Sequence, residues 1–110
     1  MIGIDIVEIS RIKELYEKFG DKFLKRILHI KEIEIIKAKK DIFPAIAGRF
    51  AVKEAYVKAS GDKSINFNLI CVLNKKDGKP FFQNIPDFEI SISHERNYAV
   101  AVVLKKSKND

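Results

Sequence analysis

At 110 residues the chain fits one domain, long enough for a real core but not for two. With 46% apolar and 33% charged residues it reads as a soluble globular protein, and no apolar run approaches the roughly 20 residues of a membrane span. The net charge of +6 is uneven, because residues 11–40 hold ten basic residues against five acids and so carry +5 of it. Such a basic face favours a polyanion or an acidic partner protein, yet no aromatic–basic RNA motif, Cys/His finger or long arginine run supports nucleic acid.

The chain opens MIGIDIVE, a predicted strand. Period-two alternation puts Ile2, Ile4 and Ile6 on one face, expected to be the core face, and Gly3, Asp5 and Val7 on the other. Asp is disfavoured inside a strand. Asp5 is therefore either a half-exposed acid on the solvent side or a carboxylate held by a rigid element for chemistry. Asp5, Glu8 and Arg11 interrupt any hydrophobic leader, so no signal peptide is expected here.

Ser10 is the expected cap of a helix with Ile12, Leu15, Tyr16 and Phe19 at helical spacing, ended by Gly20. Asp21 is expected to cap a short helix that turns Phe23, Leu24, Ile27 and Leu28 inward. His29, between two helical patterns, reads as a cap or surface residue. A third helix spans about 31–40, with Ile30, Ile33 and Ile36 on its apolar side. Pro44 suits the first turn of a fourth helix that runs to about Ala59 and stops at Gly61.

The period then changes. Ile65, Phe67 and Leu69 alternate with Asn66 and Asn68, predicting a strand that continues to about Leu73. Cys71 lies in its apolar run as buried filler; a lone cysteine excludes an internal disulfide and suits a reducing cytosol. Asp77-Gly78 marks a hairpin turn into Phe81-Phe82, and Pro86-Asp87 turns the chain again before the alternating FEISIS. HERN is a polar turn, Tyr98 to Leu104 the last strand, and residues 105–110 a frayed tail. One strand, several helices and an antiparallel meander make a single α+β domain over residues 1–104.

Residues 48–59, GRFAVKEAYVKA, are the most informative stretch. Ala51, Val52, Ala55, Tyr56 and Ala59 form a wide apolar arc, and the charges fall in two narrow stripes, Arg49 with Lys53 and Glu54 with Lys58. An i,i+4 ion pair accounts for Glu54 and Lys58, and Arg49 and Lys53 can be solvated ends over apolar neighbours. Asp5 and Glu54, from different elements, also make a plausible hard-cation site that leaves positions for water and phosphate. In SISHERNY, Ser91 and Ser93 share a strand face and His94 falls at the turn. No GxSxG elbow exists to support a serine nucleophile.

Together, GIDIVEISRI, GRFAVKEAYVKA and SISHERNYAVAVV resemble the holo-acyl-carrier-protein synthases, the small group of the phosphopantetheinyl transferases, over nearly the whole chain. The resemblance implies transfer of the phosphopantetheine arm of coenzyme A to a serine of apo acyl carrier protein in fatty acid biosynthesis, with adenosine 3′,5′-bisphosphate released. It implies Asp5 and Glu54 as Mg²⁺ ligands and Lys58 as a phosphate contact, with Arg49 and His94 as contacts to the nucleotide phosphates. It implies a homotrimer, with Asp5, Glu54 and Lys58 on one subunit and Arg49 and His94 reaching in from the next. Arg11, Lys22, Phe23, Lys25 and Arg26 become candidates for docking the acidic carrier protein. The family's glycine-rich turn after the KEA helix is reduced here to Gly61, the one member carried over to the coenzyme A pocket. A cytoplasmic enzyme without membrane or nucleic-acid partners follows. The rival reading is a non-catalytic basic module for RNA or an acidic protein, which explains the charge but leaves Asp5 and the Glu54–Lys58 pairing without a role.

Overall fold

The structure, a computed structural model, describes residues 1–107. In chain order the elements are β1 (Ile2–Glu8), α1 (Ile9–Phe19), α2 (Asp21–Ile27), α3 (Ile30–Lys37), α4 (Phe43–Ser60), a 3₁₀ turn (Phe67–Leu69), β2 (Val72–Asn74), β3 (Pro80–Phe82), β4 (Phe88–His94) and β5 (Tyr98–Lys105). An antiparallel sheet of order β1-β5-β4 lies across α4, and β2-β3 form a separate hairpin. Pro44 occupies the first turn of α4, where its missing N–H has no intrahelical partner to lose. Gly61 ends α4 at φ 76°, a left-handed conformation that glycine adopts freely.

Small residues set how closely helix and sheet approach. Ala47, Ala51, Ala55 and Ala59 recur every four residues on α4 and are all buried, as are Ala99 and Ala101 of β5. The closest approach is at Gly3, where an added Cβ would stand 1.9 Å from the Ala55 carbonyl oxygen and 2.9 Å from the Ala59 nitrogen. Only a residue without a side chain lets β1 lie there.

This contact inverts the face expected of β1. The alternation is as read, but Gly3 and Val7 are buried while Ile2, Ile4 and Ile6 are 66%, 59% and 61% exposed. Alternation fixes which residues share a face but not which face is covered. Here α4 covers the glycine side. The isoleucines join Val100, Val102 and Leu104 of β5 on the outer face, in the register Ile2–Leu104, Ile4–Val102 and Ile6–Val100.

Other expectations need correction. Ser10 donates to Glu8 Oε1 inside a helix that already starts at Ile9, and Asp21 is the first residue of α2 rather than its cap, paired with Lys37 at 3.4 Å. The third helix starts a residue earlier and stops at Lys37, with Ile36 buried and Ile30 73% exposed. Residues 65–71 form no strand. Part of their backbone closes a 3₁₀ turn, Leu69 N–H to Asn66 O and Ile70 N–H to Phe67 O, and other groups go to side chains: Phe67 O accepts from Lys53, Leu69 O from Asn84, and the Cys71 N–H donates to Asn84. Lys105 belongs to β5 and the Lys106 N–H donates to Asp87 O, so the tail is shorter than expected; residues 108–110 lie outside the described part.

The Arg49–Lys53 stripe is not solvated. Lys53 is fully buried, and its ammonium donates to Ile27 O (2.8 Å), Phe67 O (3.0 Å) and Glu32 Oε1 (2.5 Å). Glu32, equally buried, also accepts from the N–H groups of His29 and Val72. His29 closes the capping box that starts α3, its Nδ1 accepting from the Lys31 N–H. Glu32 thus ties α3, α4 and β2 together, and its loss would leave buried cations without a counter-charge, at about 3–5 kcal/mol.

Gly3→Ala is expected to lower stability by about 3 kcal/mol, the upper end for overpacking, because its obstacle is backbone that cannot rotate away. Denaturant unfolding of the variant measures this, and a loss below about 1 kcal/mol would contradict the close approach.

Candidate active site

Because β1 lies over α4 through Gly3, the next inward residue of the strand, Asp5, comes to the same helix. There it meets Glu54 and Lys58. Lys58 Nζ donates to Ile4 O at 3.0 Å and to Asp5 Oδ1 at 3.3 Å, so the lysine turns across to β1 rather than along its own helix. The ion pair expected within α4 is thus replaced by one between elements. The Asp5 side chain keeps 17% of its exposure and that of Lys58 56%, leaving the pair open to solvent on one side. Solvent screening limits what such a pair adds to stability.

Among the described residues the Glu54 carboxylate has no such partner. Partial burial pushes its carboxyl above the ordinary value, the Asp5 charge pushes it further, and Lys58 opposes both. Asp5 and Glu54 line one groove of about 560 Å³ with Arg11, Phe50 and Tyr98. Two carboxylates that repel each other in a groove, with a lysine at hand, suit a cation and a phosphorylated ligand.

Arg49 and His94 lie elsewhere. They line a second cavity of about 830 Å³ with Lys39, Asn74, Gly78 and Pro80, and no residue lines both cavities. The helix explains the separation, since five residues at about 100° each put Arg49 and Glu54 well apart around α4. His94 is exposed at the end of β4 on the helix-facing row, opposite Ala99. Gly61 lines neither cavity and serves to end α4. In the loop that follows, Asp62 Oδ1 accepts from the N–H and hydroxyl of Ser64.

Of the docking candidates, Arg11 is exposed at the rim of the Asp5–Glu54 groove and Lys22, Lys25 and Arg26 are exposed on α2. Phe23 is not available. It packs into the core with Leu24 and Ile27, as its apolar spacing alone would have placed it. Glu32 and Asn74 escaped the reading of the sequence. For Glu32 the only local signal was its place three residues after His29, which marks a helix start and says nothing of burial.

Residues 1–103 match the 4′-phosphopantetheinyl transferase superfamily, and the chain belongs to it. Within that class the similarity is to holo-[acyl-carrier-protein] synthases. That of Thermodesulfovibrio yellowstonii is 46% identical over 94% of this chain and 95% of its own. The Bacillus anthracis synthase, solved in complex with coenzyme A (3′,5′-ADP), superposes with a TM-score of 0.84 at 42% identity, covering 96% of each chain. The Helicobacter pylori synthase in complex with coenzyme A also gives 0.84, at 37% identity over 96% of this chain and all of its own. The α+β fold is theirs.

The direction of the Glu54 shift has a consequence for stability. A carboxyl raised in the folded state costs stability once it is ionised, at pH above both its folded and unfolded values, and costs nothing below about pH 4. Glu54→Gln is therefore expected to melt higher than the parent at pH 7 and level with it at pH 4. Equal melting temperatures at pH 7 would contradict the assigned environment.

Proposed function

We propose that the chain transfers the 4′-phosphopantetheine arm of coenzyme A to a serine hydroxyl of apo acyl carrier protein, releasing adenosine 3′,5′-bisphosphate. The observation that carries this reading is the meeting of Asp5 and Glu54, from a strand and a helix, with Lys58 spanning to Asp5. The donor set fits Mg²⁺: hard oxygen ligands whose mutual repulsion a divalent ion relieves, too few to enclose it, so that water and phosphate complete its shell. Asp5 and Glu54 would hold the ion, which when bound supplies positive charge against the pyrophosphate.

The protein's own part is positional and electrostatic. Lys58 is free to leave Asp5 for the transferred phosphate, since its own side chain is half-exposed and its ammonium is held by one carboxylate and one carbonyl. Glu54 would take the serine proton, directly or through a water it holds. Arg49 and His94, in the separate cavity, suit the nucleotide phosphates.

A homotrimer with shared active sites would bring the two cavities together. Two features support it: the cavities are separate within one chain, and the outer sheet face leaves Ile2, Ile4, Ile6 and Leu104 exposed, an apolar area that isolated proteins seldom present. Arg11, Lys22, Lys25 and Arg26 form the docking face for the acidic carrier. The buried free thiol of Cys71 fits a reducing cytoplasm, and among the described residues no helix is long and apolar enough to cross a membrane.

Incubation with apo carrier protein, coenzyme A and Mg²⁺ is expected to raise the carrier mass by one phosphopantetheine, measured by mass spectrometry. An unshifted carrier that another transferase can modify would overturn the reading. Asp5→Ala is expected to lower kcat/KM at least a hundredfold, on the order of losing one electrostatic contact to the reacting phosphate. Charge reversal at Lys22, Lys25 and Arg26 is expected to raise the KM for carrier protein about tenfold and to act less on kcat, in steady-state assays.

A further inference from the structure

Arg49 and Lys53 are two buried cations that share one buried carboxylate, Glu32. The division is unequal. Glu32 Oε1 accepts from Lys53 Nζ at 2.5 Å and the His29 N–H at 2.8 Å, and Oε2 accepts from the Val72 N–H at 3.0 Å. Arg49 Nε stands 3.6 Å from Oε2, beyond hydrogen-bond distance, and donates to Val72 O instead. One positive charge is therefore left over, and it belongs to the guanidinium that lines the larger cavity.

What fixes the outer end of that guanidinium is Asn74. Its Oδ1 accepts from Arg49 Nη2 at 3.0 Å, while its Nδ2 donates to Gly78 O at 2.9 Å, across the hairpin turn. The two contacts permit one orientation of the amide, with oxygen toward the cation and nitrogen toward the carbonyl. Among the described residues Nη1 has no hydrogen-bond partner, so its donors remain for whatever the cavity holds. Asn74 is exposed at the end of β2 and lines the same cavity.

We propose that Asn74 is a positioning residue for the substrate nucleotide: by clamping the fork of Arg49 to the β2–β3 turn, it aims the remaining donors at a phosphate in that cavity. Glu32, its acceptor sites taken by Lys53, His29 and Val72, supplies counter-charge without claiming the fork. The inference rests on the reading of Arg49 as a nucleotide contact. A guanidinium free to turn loses the bidentate geometry that makes it better than a point charge.

A double-mutant cycle tests it, with adenosine 3′,5′-bisphosphate titrated calorimetrically into the full chain carrying Asn74→Ala, Arg49→Met, or both. Asn74→Ala is expected to weaken binding about tenfold, the scale of a hydrogen bond to a charged group, and to have no further effect once Arg49 is Met. Additive losses would mean that Asn74 touches the nucleotide itself, and parent-like binding by Asn74→Ala would mean that it does nothing; either overturns the proposal. Failure of the underlying reading looks different: the unmodified chain would not bind the nucleotide, or Arg49→Met would bind it as well as the parent. If Arg49→Met does not fold, the exposed Asn74→Ala carries the test through kinetics. Its KM for coenzyme A should rise about tenfold and its kcat should fall less; an unchanged KM, or equal losses in both, would overturn the proposal.

Discussion

Everything at the candidate site depends on how closely β1 lies on α4. Gly3 against the Ala55 carbonyl sets that distance, and Asp5, two residues further along the same face, is delivered to Glu54 as a result. The carboxylate pair is thus held by a regular strand and a regular helix rather than by loops, which keeps two like charges close in a fixed geometry. The cost of that closeness appears at Glu54, whose carboxyl is raised first by burial and then by Asp5.

The other two charges of α4 do opposite work. Lys53 is consumed by the fold, its three donors spent on Ile27, Glu32 and Phe67, so that α2, α3 and the segment before β2 are tied to the helix that carries Glu54. Arg49 shares the same carboxylate from further away and retains a charge for the cavity. Adjacent turns of one helix therefore hold one cation spent on the fold and one that lines a cavity. The difference lies in which of them holds the acceptor sites of Glu32.

Much of this was legible in the sequence, for definite reasons. The helices followed from apolar spacing with Gly20, Pro44 and Gly61 as punctuation, and the two hairpins β2-β3 and β4-β5 from alternation with turn residues; that they fall in separate sheets rather than one meander did not. The orientation of β1 was misread because alternation carries no sign; the glycine inside the strand was the available signal that a backbone passes close by. The missing strand over 65–71 has a non-local cause, since Lys53 and Asn84 take groups that a ladder would need. Glu32 was out of reach for the same reason, being 21 residues from Lys53 and 40 from Val72. Asp5, Glu54 and Lys58, read together in the sequence, lie together in the fold, but the pairing of Lys58 with Asp5 is a fact of packing. Phe23 entered the docking set with the region that the resemblance assigns to the carrier protein, although its own spacing marked it as core.

The outer face of the sheet ties the local account to the assembly, for the strand that presents Asp5 inward presents Ile4 and Ile6 outward. A structure of crystals grown with coenzyme A and Mn²⁺, using the anomalous signal of the metal, tests the central claim most directly. The account predicts an anomalous peak coordinated by the carboxylates of Asp5 and Glu54, with the pyrophosphate beside it and Lys58 turned from Asp5 to phosphate. Coenzyme A and metal bound elsewhere, with Lys58 still on Asp5, would contradict it.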